Sequence, residues 1–160
     1  MRAFCAAYHQ KATGYAATTE QLVTAWHRTN PRTGEPEEAK LDVATRDAVT
    51  GTAVYLDVSI ACAHSDDQSR QRARSGRDGL AAQSREDDKR RRYPPHGGDL
   101  VPVVFETGGR PGDAAVAYVR SLAHGLEGAA RTEVRRDAGQ QLSCLLQVGN
   151  AETLLAAIGT

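Results

Sequence analysis

Large apolar side chains are scarce in this sequence: 160 residues include two Phe, one Trp and one Met, and aromatic residues make up 5%. A core made without them rests on Val, Leu, Ala and Ile. Cysteine is also rare. Cys5, Cys62 and Cys144 are odd in number and far apart, which suits neither a disulfide framework nor a four-ligand zinc site and makes a reducing compartment the default. No run of 18 apolar residues occurs, and the opening residues are interrupted too soon by His9, Gln10 and Lys11 to form the apolar region of a signal peptide. A non-membrane, intracellular chain is the expectation. Neither charge sign is in excess, because twenty basic residues balance twenty acidic ones. Any affinity for nucleic acid must therefore come from local clustering. Gly108-Gly109-Arg110-Pro111-Gly112 lacks the Lys-Ser/Thr pair of a phosphate-binding loop, and no nucleophile elbow or dinucleotide fingerprint occurs, which disfavours nucleotide hydrolysis.

What is present fits one domain with a modest core. The first seventeen residues show no clear period. Thr18-Thr19-Glu20-Gln21 reads as a capping box opening a short helix through Leu22, Val23 and Trp26, which stops near Asn30-Pro31. Lys40 to Ala44 and Ala53 to Cys62 alternate, with turn formers from Asp47 to Thr52 between them, and read as a hairpin. Residues 66–77 are almost wholly polar, and a charged helix runs from about Asp78 to Tyr93, closed by Pro94-Pro95. Leu100 to Phe105 reads as a short buried strand whose pairing is limited by Pro102. Beyond Pro111, Ala114, Ala115, Tyr118, Val119 and Leu122 recur at helical spacing, and Leu142, Leu145, Leu146, Leu154 and Leu155 mark one or two final helices. Trp26 is expected to anchor the core, Cys62 and Cys144 to be small core residues, and His64 to lie in a loop.

Within the hairpin, Val54, Leu56, Val58, Ile60 and Cys62 share one parity and Asp57 and Ser59 the other. Asp42 sits between Leu41 and Val43, so it too is expected to oppose the apolar face. Pairing in register puts Asp42 opposite Asp57, or diagonal to it by roughly 7 Å. Two such acids repel unless protonated or bridged by a cation, and Mg²⁺ favours one or two carboxylates completed by water and phosphate oxygens. Lys89 on the following helix is the candidate to stabilise developing phosphorane charge.

These residues carry a resemblance. Leu41-Asp42, then twelve residues, then Tyr55-Leu56-Asp57-Val58-Ser59, followed by Lys89-Arg90-Arg91-Arg92-Tyr93, resembles the restriction-enzyme-like endonuclease, of PD-(D/E)xK type, found at the C-terminus of non-LTR retrotransposon proteins. Val101 to Gly108 and Leu142 to Ala151 are similar to later segments of that family, so the likeness covers about residues 37 to 156. Leu41 replaces the family's Pro. Ser59 stands where the usual D/E-x-K places its Lys, and Lys89 matches a Lys displaced onto the helix. The upstream Cys/His zinc knuckle is missing, because Cys5 with His9 supplies at most two ligands.

The resemblance implies an α/β fold: a restriction-endonuclease-like core over 37–160, a small mixed sheet with a central hairpin flanked by helices, preceded by a helical or irregular extension over 1–36. It implies a metal-dependent DNA endonuclease that nicks a phosphodiester. Asp42, Asp57 and Lys89 would be catalytic, Asp42 and Asp57 would hold Mg²⁺ or Mn²⁺, and Arg85, Arg90, Arg91 and Arg92 would contact DNA. Glu106 is a further candidate for the metal site. The implied location is nuclear, and an element RNA or a reverse transcriptase encoded elsewhere are further candidate partners. Departures from the family pattern leave open a catalytically inactive, element-derived remnant with weak nucleic-acid binding or a protein-interaction role. Taken without the motif, Asp42 and Asp57 are solvated strand residues, Lys89 belongs to a solvated helix face with Glu86, Asp87 and Asp88 as partners, and Glu106 is an exposed strand end.

Overall fold

Alternating apolar and polar residues produce two strands at the centre of a sheet, β4 (Lys40–Arg46) and β5 (Ala53–Ala61), in the computed structural model, which describes residues 1–62, 78–96, 98–124 and 126–158. His64 and the polar stretch 66–77 lie outside the described residues. The two strands pair antiparallel from Arg46↔Ala53 to Val43↔Leu56. Asp47 closes the turn between them, its carboxylate accepting from the backbone N–H groups of Val49 and Thr50.

A helix, α2 (Leu80–Arg92), leads from β5 to β6 (Asp99–Glu106), which pairs parallel with β5 from Val54↔Asp99 to Ala61↔Glu106. A parallel pair requires such a crossover. Pro102 is accommodated because β6 is an edge strand. Two more helices follow, α3 (Asp113–Leu122) and α4 (Gly128–Ile158). The result is a mixed α/β architecture whose four-stranded sheet has β1 (Thr18–Leu22) at one edge, followed by β4, β5 and β6.

The N-terminal residues depart from expectation. Residues Arg2–Thr13 form a helix, α1, ended by Gly14 at φ 76, and Thr18–Leu22 form strand β1, antiparallel to β4. Only Thr24–Trp26, a 3-10 turn, retains helical character from the expected capping-box helix. Every β1 residue is exposed, so no apolar stripe rewarded a helix there, whereas the free edge of β4 offered backbone partners to β-branched Thr18 and Thr19. Helix α1 has no periodic signature in the sequence because its buried face is Cys5, Ala6, Tyr8 and His9, a set with little hydropathy contrast. The expected extension over 1–36 thus contributes a helix and a strand to the same core and sheet. A short ladder, β2 (Arg28–Thr29) with β3 (Pro36–Glu37), completes the strands.

The sheet is covered on both faces. On one side Cys5 and Tyr8 of α1, Tyr118 and Leu122 of α3, and Leu142 and Leu146 of α4 pack on Val43, Val54, Leu56, Val103 and Phe105. On the other, Ala81 and Ala82 of α2 meet Ala61 and Val104, while Tyr93 joins Trp26, Ala39 and Leu41. Trp26 is the expected anchor, and its ring N–H donates to the Pro94 carbonyl at 2.7 Å. Cys62 and Cys144 are exposed, contrary to expectation, as is Ile60 near the end of β5.

Cys5 and His9, the two upstream residues of zinc-binding type, are committed to this core. Burial pushes the Cys5 thiol up to about 11 and holds His9 below its ordinary value. The His9 Nε2–H donates to the Arg46 carbonyl at 3.0 Å, and Nδ1 lies 3.1 Å from the Tyr118 hydroxyl.

Helices α2 and α3 meet at one glycine. Glu86, 2% exposed, accepts from the Ala114 N–H at 3.1 Å in the first turn of α3, and a Cβ at Gly112 would collide with that carboxylate. Gly112→Ala is expected to lower stability by about 1–3 kcal/mol through overpacking, read as a lower urea midpoint at unchanged slope.

Candidate active site

The buried stripe of α2 contains two charged side chains. Ala82, Glu86, Lys89 and Tyr93 recur at helical spacing and all are buried. Small Ala81 and Ala82 let the helix lie close to Ala61 and Val104, and Tyr93 fixes its far end against Leu41 and Trp26. Lys89 is thereby held over β5. Its Nζ lies 2.5 Å from the Asp57 Oδ2, with 8% and 14% of the two side chains exposed. Burial of charges at this level is costly without such a partner.

Asp42 reaches the same place from β4. One step beyond the last regular pair, Val43↔Leu56, the register sets Asp42 opposite Asp57. There the Asp42 carboxylate takes over from the backbone, its Oδ2 accepting from the Val58 N–H at 2.7 Å, while Oδ1 lies 3.8 Å from Arg2. Burial raises the Asp42 pKa above its ordinary value and the negative charge of Asp57 adds to this; the Val58 N–H, Lys89 and Arg2 oppose them. Leu41 and Val43, buried at alternate positions of β4, enter different clusters. On β1, Glu20 stands between the pairs Thr19↔Val43 and Gln21↔Leu41 with φ 59, a left-handed conformation rare for Glu.

A raised carboxyl pKa means that the charged form is disfavoured in the native state. Stability then falls as pH rises from the unfolded value of 3.8 through the raised folded value. Asp42→Asn keeps an oxygen for the Val58 N–H and removes that penalty. Its urea midpoint is expected to exceed the wild type's at neutral pH and to converge with it below about pH 3.

A cleft of about 340 Å³ elsewhere, lined by His9, Asp99 and Tyr118 among others, contains none of the expected site residues except Arg90. The cleft over Asp57 has a volume of 320 Å³ and is lined by Asp57, Arg85, Asp88, Lys89, Arg92 and Tyr93. Arg85, Lys89 and Arg92 are spaced i, i+4, i+7 and so share one helix face. Arg92 is tied to Glu37 at 2.6 Å and its guanidinium lies 5.1 Å from the Tyr93 ring centroid. Arg85 is exposed and has no ion pair among the described residues. The expected basic run is therefore divided. Arg90 turns to Glu86 at 3.3 Å and Asp87 at 3.4 Å, and Arg91 pairs with Asp88.

Glu106 is not brought to the acidic pair. It pairs with Ala61, four residues along β5 from Asp57, or about 13 Å at the strand rise. Its Oε1 accepts from the Ala82 N–H at 3.3 Å, serving the first turn of α2, whose N-cap Gly79 has no side chain to do so. The Ser59 Oγ, on the same strand parity as Asp57, is buried with no hydrogen-bond partner among the described residues. Glu37 at the rim and Arg2 beside Asp42 were not anticipated; neither has a local sequence signal, since each comes from a distant element.

Among the described residues no three His, Cys, Asp or Glu side chains converge as a metal-binding group. No described helix is long and apolar enough to cross a membrane. No protein-family model and no curated protein matches the chain.

Proposed function

We propose that this chain is a metal-dependent DNA endonuclease domain with a restriction-endonuclease-like core, similar to that of non-LTR retrotransposons. One observation carries the reading: Asp57 and Lys89 pair at 2.5 Å in a cleft with Arg85 and Arg92, and Asp42, bonded to the Val58 N–H one residue beyond Asp57, stands beside them on the neighbouring strand. The small mixed sheet with its central hairpin and flanking helices also supports it.

Two carboxylates, one already disfavoured in its charged form by burial beside the other, suit a hard divalent cation that takes its remaining ligands from water and phosphate. Asp42 and Asp57 would hold Mg²⁺ or Mn²⁺, which would supply Lewis acidity for water and phosphodiester oxygen. Arg85, with no carboxylate partner among the described residues, binds a DNA phosphate, and Lys89 offsets charge that develops on the scissile phosphate. The water oxygen adds to phosphorus, the bond to the leaving sugar oxygen breaks, and the proton given up by the water is matched by one taken from solvent by that leaving oxygen.

The test is nicking of supercoiled plasmid with MgCl₂ or MnCl₂ by the wild type and Asp57→Ala. Cation-dependent nicking lost in the variant supports the proposal; nicking that survives, or none from the wild type, overturns it. A second reading, a non-catalytic remnant, draws on the pairing of Arg90, Arg91 and Arg92 with carboxylates, which leaves little free positive charge. It predicts weak, salt-sensitive DNA binding without cutting.

A further inference from the structure

The contact between Lys89 and Asp57 places a cation of the chain itself on a carboxylate assigned above to an external one. Lys89 belongs to the buried stripe of α2, unlike Arg85, Arg90 and Arg91, which are exposed, and at 2.5 Å its ammonium takes one oxygen of Asp57 directly. A divalent cation approaching that oxygen meets a like charge in a partly desolvated position, where charge interactions are weakly screened. Lys89 and Asp57 both line the 320 Å³ cleft, together with Arg85, Asp88 and Arg92, so an ammonium that leaves Asp57 has open space beside it.

We infer that Lys89 is a built-in counter-ion that holds Asp57 in the cation-free protein and must be displaced into the cleft for a divalent cation to load. This rests on reading Asp42 and Asp57 as cation ligands. Lys89 thereby opposes loading, and a phosphate in the cleft, by receiving the released ammonium, favours it. Cation and DNA phosphate then bind cooperatively through one side chain.

Binding of MnCl₂, followed through the paramagnetic resonance of the free ion, tests this without any cutting. Lys89→Met is expected to bind Mn²⁺ about tenfold more tightly than the wild type, because the competing charge is gone. Removing the ammonium also leaves a buried carboxylate unpaired, which can unfold the cation-free variant, so a second measurement uses the wild-type chain. Its three lysines, Lys11, Lys40 and Lys89, are acetylated briefly with acetic anhydride and compared by mass spectrometry. Lys89 should react slowly beside exposed Lys11 and Lys40, and MnCl₂ should speed its reaction alone.

An unchanged Lys89 rate, in a protein whose Mn²⁺ binding is abolished by Asp57→Asn, overturns displacement and leaves the proposed function standing. A folded Lys89→Met variant that binds Mn²⁺ no more tightly than the wild type does the same. Absence of Mn²⁺ binding by the wild type at millimolar concentration overturns both.

Discussion

Asp57→Asn is expected to lower cation-dependent plasmid nicking by about three orders of magnitude or more, equivalent to ~4 kcal/mol of transition-state stabilisation. The substitution keeps the shape of a residue that is 14% exposed while removing the charge facing both the cation site and Lys89. Lys89→Ala should slow nicking by about 10²–10³, the cost of one preorganised positive group at a developing phosphorane. The same lysine is expected to weaken cation binding, so removing it improves loading and impairs chemistry. Uniform loss of both would indicate unfolding, which the urea midpoint of each variant checks. Arg85→Ala should instead weaken DNA binding with a shallower salt dependence, as expected for a phosphate contact.

Leu56→Ala is expected to destabilise the fold by about 2–5 kcal/mol. Leu56 is fully buried, stands between Val43 and Val101 in the central strand, and belongs to the largest cluster. In a core with two Phe and one Trp in the whole chain, a Leu at the sheet centre carries a large share of the buried area. Typical domains are stable by only 5–15 kcal/mol, so the variant should show a sharply lower urea midpoint and lose any nicking through unfolding. Val49→Ala, at a residue 60% exposed in the β4–β5 turn, is the control and should move the midpoint by less than about 0.5 kcal/mol.

The hairpin, α2, β6 and α3 were legible because each has a local signature: alternation in β4 and β5, Pro94-Pro95 after α2, glycines around β6, and helical spacing from Ala114 to Leu122. Strand β1 was not, because Thr18-Thr19-Glu20-Gln21 suits a helix start locally, and the preference of β4 for an edge partner decided otherwise. The two roles of α2 were also hidden. Its charges read as a solvated face, yet Glu86 and Lys89 occupy the buried stripe because Ala114 and Asp57 supply partners from across the fold. Glu106 lies apart from the acidic pair for a related reason: strand register carries it past them to the start of α2.

By itself the sequence determined the period of each central strand, and with it that Asp42 lies opposite Asp57 or diagonal to it; the register from Arg46↔Ala53 to Val43↔Leu56 decided for the direct pairing. Only the tertiary structure decided that Lys89 meets Asp57 while Arg90 and Arg91 turn away. Neighbouring positions on a helix differ by about 100° in direction, so which one faces the sheet depends on how the whole helix is seated. That seating is set at its ends, by Ala82 against Val104 and by Tyr93 against Trp26 and Leu41.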